Sequence, residues 1–182
     1  MVQGPMLRAD ARRNREAILA TAREIFDRDD DLRFDDFAGL AGVGVGTLYR
    51  HFPTREALAI AVYEGEVEAL CEKARDSTRP PGENLESFLR GFADYVVAHI
   101  ALARTLSALV NAAIQVEGGD ALETTVAELM SRAAEEGSIR GDVLPGAVMV
   151  VLHGIGSSAS RPNWAAESRE VVELLIRGLI VG

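Results

Sequence analysis

Thr47, Tyr49, Arg50 and His51 crowd into the stretch GTLYRHF, and together they present a hydroxyl, a phenol, a guanidinium and an imidazole. These groups suit hydrogen bonding to phosphate oxygens and base edges rather than bond-making chemistry. Tyrosine can donate to a phosphate while its ring packs on a sugar or a thymine methyl, threonine can do either, and histidine can donate to a phosphate or a purine edge. For three of the four, two readings stand. Tyr49 faces nucleic acid or packs its ring; His51 faces nucleic acid or shields the small core beside Phe52; Arg50 touches a phosphate or pairs with an acid on the first helix. Leu48 and Phe52, spaced i, i+4, belong to the core.

The elements that must hold these groups lie just upstream, in Asp35 to Phe52, DDFAGLAGVGVGTLYRHF. Ala38, Gly42 and Leu48 supply the small side chain, the left-handed turn residue and the apolar anchor that two steeply crossing helices need, which is helix-turn-helix spacing. The second helix is expected from Asp35 to Ala41, the turn from Gly42 to Gly44 and the third helix from Gly46 to Phe52. Asp10 is a plausible N-cap for a first helix ending near Phe26, with Ile18, Ala22 and Ile25 on one face. Pro53 stops the third helix, and Thr54 caps a fourth from Arg55 to about Arg75. STRPPGEN, Ser77 to Asn84, breaks the helical pattern. Further helices are expected over Leu85 to Ile100, Ala101 to Val116, Ala121 to Glu136, Pro145 to Ser158 and Ser168 to Val181. No segment alternates like a strand. The fold expected is therefore all-α with about nine helices: a helix-turn-helix domain over 1–54 and a helical bundle over 55–182, joined by the helix 55–75.

A length of 182 residues and 48% apolar content suffice for a buried core. The net charge of -9 argues superficially against a polyanionic partner, but its distribution matters. Residues 1–60 carry 9 Arg against 10 Asp and Glu, whereas residues 61–182 carry 10 basic against 18 acidic residues. From Val43 to Arg55 there are Arg50 and Arg55 and no acid. The run Asp27 to Asp31 is expected to be a solvated loop. No run approaches the roughly 20 apolar residues of a membrane span, and MVQGPMLRADARRNRE lacks the apolar core of a secretory signal, so a cytoplasmic protein with no membrane association is expected. The lone Cys71 excludes an internal disulfide and is expected to be a packed or solvent-facing thiol. No nucleophile–base spacing, H-E-x-x-H pair or phosphate-cradling glycine loop appears, so no enzyme, cofactor or metal site is expected.

Residues 8–60, through FDDFAGLAGVGVGTLYRHFPTREAL, resemble the DNA-binding domain of the TetR family of transcriptional regulators. That resemblance implies that the third helix is a recognition helix and that Arg33, Gly46, Thr47, Tyr49, Arg50, His51, Thr54 and Arg55 form the DNA-binding set, with Arg55 gripping a phosphate bidentately. It also implies a second domain for ligand binding and dimerisation. The chain departs from the family's pattern at Arg33, where Ser or Thr is common, at Gly44, where Ser is common, and at Val45, where a polar or basic residue is frequent.

Phe88, Phe92, Tyr95 and His99 are spaced as one helical stripe, which is either simple bundle core or the lining of an apolar effector pocket. In the second reading Leu102, Leu106, Val110, Met130 and Met149 complete the pocket, and His99, Asn111, Gln115 and His153 orient the ligand. A single helix-turn-helix makes too few contacts for specific affinity, so a homodimer is expected. Its interface is expected on Val148, Val151, Leu152, Ile155 and Gly156 of one helix and Val171, Leu174, Leu175 and Gly178 of the last. The expected function is a regulator, commonly a repressor, that binds a palindromic double-stranded operator as a homodimer and is released by a small, largely apolar effector. The alternative is a DNA-binding dimer without an effector, acting through a protein partner.

Overall fold

The computed structural model describes residues 4–28, 32–100, 102–103 and 119–181. Within them the chain forms α1 (Gly4–Arg28), α2 (Asp36–Leu40), α3 (Val45–His51), α4 (Arg55–Arg75), α5 (Pro81–Ala98), α6 (Gly119–Glu136), α7 (Pro145–Ser157) and α8 (Trp164–Leu179). An isolated antiparallel bridge joins Ile139 and Ile180. The protein is all-helical, and it divides into two compact units within α4, Met1–Tyr63 and Glu64–Gly182. The helix expected over 101–116 falls almost wholly outside the described residues.

In the first unit α1 packs against α2 and α3, and α2 against α3. Ile18, Ala22, Ile25 and Phe26 of α1 are buried, as are Phe37, Ala38, Leu48 and Phe52. The Phe37 ring lies 5.9 Å from Phe26 and 6.0 Å from Phe34, at tilted angles that aromatic quadrupoles favour. Asp10 does not open α1, which starts at Gly4; the Asp10 carboxylate instead accepts from Arg13 one turn on. Pro5 suits this earlier start, because a missing N–H costs nothing in a first turn.

STRPPGEN stops α4 but also starts α5, because Pro81 occupies the first turn with its φ already helical. The Gly82 N–H donates to Glu136 Oε2 at 2.9 Å, and the Ser138 hydroxyl donates to the same oxygen at 2.7 Å. A Cβ on Gly82 would sit 2.5 Å from Ser138 Oγ, so only glycine admits this cap from another helix. Asn84, buried, donates from Nδ2 to the Ala74 carbonyl at 2.8 Å and satisfies one of the orphan acceptors ending α4.

In the second unit α5 packs against α6, α7 and α8, α6 against α7, and α7 against α8. The last helix starts at Trp164 rather than Ser168. Trp164 is buried and donates Nε1–H to the Ile155 carbonyl at 2.6 Å, which fixes the return from α7 into α8. Across α5 and α8, Arg90 forks onto Glu173 at 2.6 and 3.1 Å and also reaches Glu86 at 2.8 Å. Arg140 N–H to Leu179 O, 2.8 Å, tethers the chain end to the turn after α6. Cys71 is buried, and burial pushes its thiol pKa up, as expected of an inert packed thiol.

Candidate nucleic-acid interface

The turn between α2 and α3 is a helix stop built on Gly42. Its φ of 67° is the left-handed conformation that side chains resist. The Val43 N–H reaches back to Ala38 O at 2.9 Å and the Gly42 N–H to Gly39 O at 3.2 Å, the paired bonds of a Schellman motif. Just before α2, whose N-cap is Asp35, the Arg33 N–H donates to Asp36 Oδ2 at 3.0 Å.

Gly44 is extended, with φ -73° and ψ 146°, and offers no side-chain cap to α3. Its carbonyl accepts from Thr47 and Leu48 at 2.8 and 3.1 Å. A Cβ there would approach only Thr47 Oγ1, at 4.0 Å. Gly44→Ser is therefore expected to stabilise the first unit by about 0.5–1 kcal/mol, by adding a cap and restricting the unfolded chain, read as a raised urea midpoint. A lowered midpoint would contradict it.

The α3 helix buries Leu48 and turns its other side outward: Val45, Gly46, Tyr49 and Arg50 are exposed, while Thr47 and His51 are half-buried. The His51 ring lies 6.3 Å from Phe52, whose other neighbour is the Arg15 guanidinium, 5.1 Å from the ring centre. Tyr49 has a partner that sequence spacing did not reveal. Its hydroxyl donates to Asp35 Oδ1 at 2.9 Å, its ring meets Phe34 edge-on at 5.3 Å, and the carboxylate holds the phenol above its ordinary pKa. Thr54 is exposed and its hydroxyl accepts the Ala57 N–H at 3.1 Å, the N-cap bond expected for α4.

Arg55 has partners within the first unit that the sequence did not reveal. Its guanidinium lies 5.5 Å from the Phe26 ring centre and 5.3 Å from that of Phe37, and Nη1 donates to the Leu32 carbonyl. The physical reason is the weak hydration of guanidinium, which makes stacking on rings favourable where an ammonium would stay in water. In this position the side chain braces α4 against the aromatic core.

In the second unit Phe88, Phe92, Met130 and Met149 are buried. Tyr95 is half-buried with its ring 4.5 Å from that of His99, which ends α5. Leu102 is buried too, but Leu106, Val110, Asn111 and Gln115 lie outside the described residues. His153 is exposed on α7, while its neighbours Leu152 and Ile155 are buried.

The expected interface set also splits. Val148, Leu152 and Ile155 are buried within the protomer's own core, since they follow the i, i+4, i+7 rhythm of the inward face of α7. Val151, Gly156 and Leu175 are half-buried and Gly178 is exposed, while Val171 is 37% and Leu174 57% exposed. Val150, absent from the expected set, is exposed as well. Between α7 and α8 a cleft of about 300 Å³ is bordered by Val151, Gly154, Ile155, Trp164 and Val171.

A helix-turn-helix presenting a polar and aromatic helix, followed by an all-helical second unit, defines a DNA-binding regulator of the helix-turn-helix class. Comparison with known proteins makes the class specific. Residues 18–62 match the model of bacterial regulatory proteins of the tetR family, and residues 80–181 match the C-terminal domain of SbtR-like transcriptional regulators. The crystal structure of the TetR transcriptional regulator SCO0520 from Streptomyces coelicolor is 36% identical, covers 91% of this chain and 98% of its own, and superposes with a TM-score of 0.65. That of a TetR regulatory protein from Mycobacterium vanbaalenii is 33% identical, with 96% and 99% covered and a TM-score of 0.65. The HTH-type transcriptional regulator SAR0097 of Staphylococcus aureus is 35% identical over 72 residues; the alignment spans 38% of this chain and 38% of that protein, well under half of either. The chain belongs to the TetR family of transcriptional regulators. No helix of the described residues is long and apolar enough to cross a membrane.

Proposed function

We propose that this protein is a homodimeric transcriptional repressor that binds a palindromic DNA operator through paired α3 helices and is released by a small, largely apolar effector held in its second unit. The observation that carries the DNA-binding part is the exposed face of α3, with Tyr49 and Arg50 outward, set on a turn fixed by Gly42. Thr47 and His51 flank that face, Gly46 lies on it, and Arg33 before α2 and Thr54 after α3 complete the proposed set. Dimerisation is supported by the apolar side chains left in solvent on α7 and α8, Val150, Val171 and Leu174. Each is a large apolar side chain that a partner helix could cover, and two half-sites a helical turn apart require two copies.

The effector reading is supported by buried Phe88 and Phe92 of the α5 stripe, which ends in the Tyr95–His99 ring pair, and by buried Met130 and Met149 on α6 and α7, which pack against α5. The exposure of His153 favours the second reading, in which this stripe is only core and the dimer works through a protein partner. Two sites need a coupling of only about 1–3 kcal/mol to change operator affinity roughly 5- to 150-fold.

The test is recovery of duplex DNA by the purified protein from a fragmented genomic library, followed by a compound screen for release. A two-fold-symmetric site protected by a dimer is expected, with affinity falling on the order of a thousandfold between 50 and 200 mM salt if about six phosphates are contacted. Recovery of no specific duplex would overturn the DNA reading. A recovered duplex that no apolar compound releases would leave the partner-dependent reading in its place.

A further inference from the structure

The α3 helix begins with Val45, 45% exposed, and one turn later on the same face carries Tyr49, also 45% exposed. The first residues of a recognition helix are those that reach base edges. A valine there has no donor or acceptor to offer. In the major groove the one apolar group is the C5-methyl of thymine, which cytosine lacks.

Tyr49 is biased the same way by its neighbours. The hydroxyl is donated to Asp35 and the ring is propped edge-on against Phe34, so the phenol is turned toward α2. Reaching a phosphate would break the bond to Asp35 and bring a second anion toward that carboxylate. What remains available to a duplex is the ring. Asp35 thus acts as a positioning residue, holding Tyr49 as an apolar reader.

We propose that this regulator reads thymine methyl groups in each operator half-site through the Val45 side chain and the Tyr49 ring, with Asp35 and Phe34 fixing that ring. The proposal rests on the DNA-binding reading above and adds the chemistry of the base contact. It predicts that the recovered site contains thymines at the positions facing the start of α3.

The experiment uses the full-length protein and the duplex recovered from the genomic library, resynthesised with each thymine replaced in turn by deoxyuridine, symmetrically in both half-sites. Burial of one methyl group corresponds to about a fourfold change in affinity, so a symmetric replacement at a read position is expected to weaken binding by roughly 15-fold. Val45→Ala should abolish the sensitivity at one position and Tyr49→Ala at the other. Tyr49→Phe, which keeps the ring but loses the bond to Asp35, should weaken binding less than Tyr49→Ala does and keep the deoxyuridine sensitivity at the position that Tyr49 reads. A duplex that binds tightly yet is indifferent to deoxyuridine everywhere, or a Tyr49→Ala protein that keeps every sensitivity of the parent, would overturn the methyl reading while leaving DNA binding intact. Failure to recover any duplex would remove both.

Discussion

Replacing Leu174 with glutamate is expected to convert the protein to monomers and to weaken operator binding by at least about a hundredfold, while each protomer stays folded. Leu174 is 57% exposed on α8, so the substitution removes little from the protomer's own core. In an isologous dimer every substitution occurs twice, and burying two carboxylates without cations costs several kcal/mol, enough to dissociate an interface of ordinary strength. Without the partner, the second half-site no longer benefits from an effective concentration in the millimolar range, and the bivalent gain of roughly 10²–10⁴ disappears. Sedimentation should show a single protomer mass and calorimetry an intact unfolding transition. Leu152→Glu is the contrasting variant: Leu152 is buried in the same helix pair and its change should unfold the second unit instead. A Leu174→Glu protein that remains dimeric would move the interface off this face of α8.

The contrast between Leu174 and Leu152 also marks what the sequence could carry. Helix type and order were readable because apolar residues recur with helical spacing, as at Ile18, Ala22 and Ile25, all three of which are buried. The turn at Gly42 was readable because a left-handed residue leaves a glycine signature. Which face of α7 turns inward was not, because Val148, Val150, Val151 and Leu152 are equally apolar and composition does not distinguish a core face from an interface face. The starts of α5 and α8 were missed for a related reason. Pro81 both ends and begins helices, and Trp164 marks a start only through a bond from its indole to Ile155, a contact that no local pattern encodes. Asp35, at the N-cap of α2, and Tyr49, on α3, lie 14 residues apart, and their pairing depends on the crossing angle that the turn imposes.

Replacing Arg55 with alanine is the change expected to disturb the first unit most among its polar side chains, with a loss of about 2–4 kcal/mol. The estimate combines a charged hydrogen bond to the Leu32 carbonyl, about 1.5–3 kcal/mol, with two ring contacts of about 0.5–1 kcal/mol each, discounted because neighbouring terms do not add fully. The contacts that set it are the distances of 5.5 and 5.3 Å to the Phe26 and Phe37 rings. Arg55→Lys keeps the charge but loses the planar fork and the stacking surface, so it should recover less than half of the loss. Urea unfolding reads the stability, and the salt dependence of operator binding separates the two roles that a cation at this position can have. If Arg55 is a brace, the slope of log affinity against log salt stays unchanged in Arg55→Ala, and binding weakens only as far as the folded population falls. If it is a phosphate ligand in both protomers, Arg55→Ala flattens that slope by about two, one counterion per lost contact. The guanidinium seated over two buried rings favours the first outcome, and a slope reduced by two would instead restore the phosphate-gripping role that the family resemblance implies.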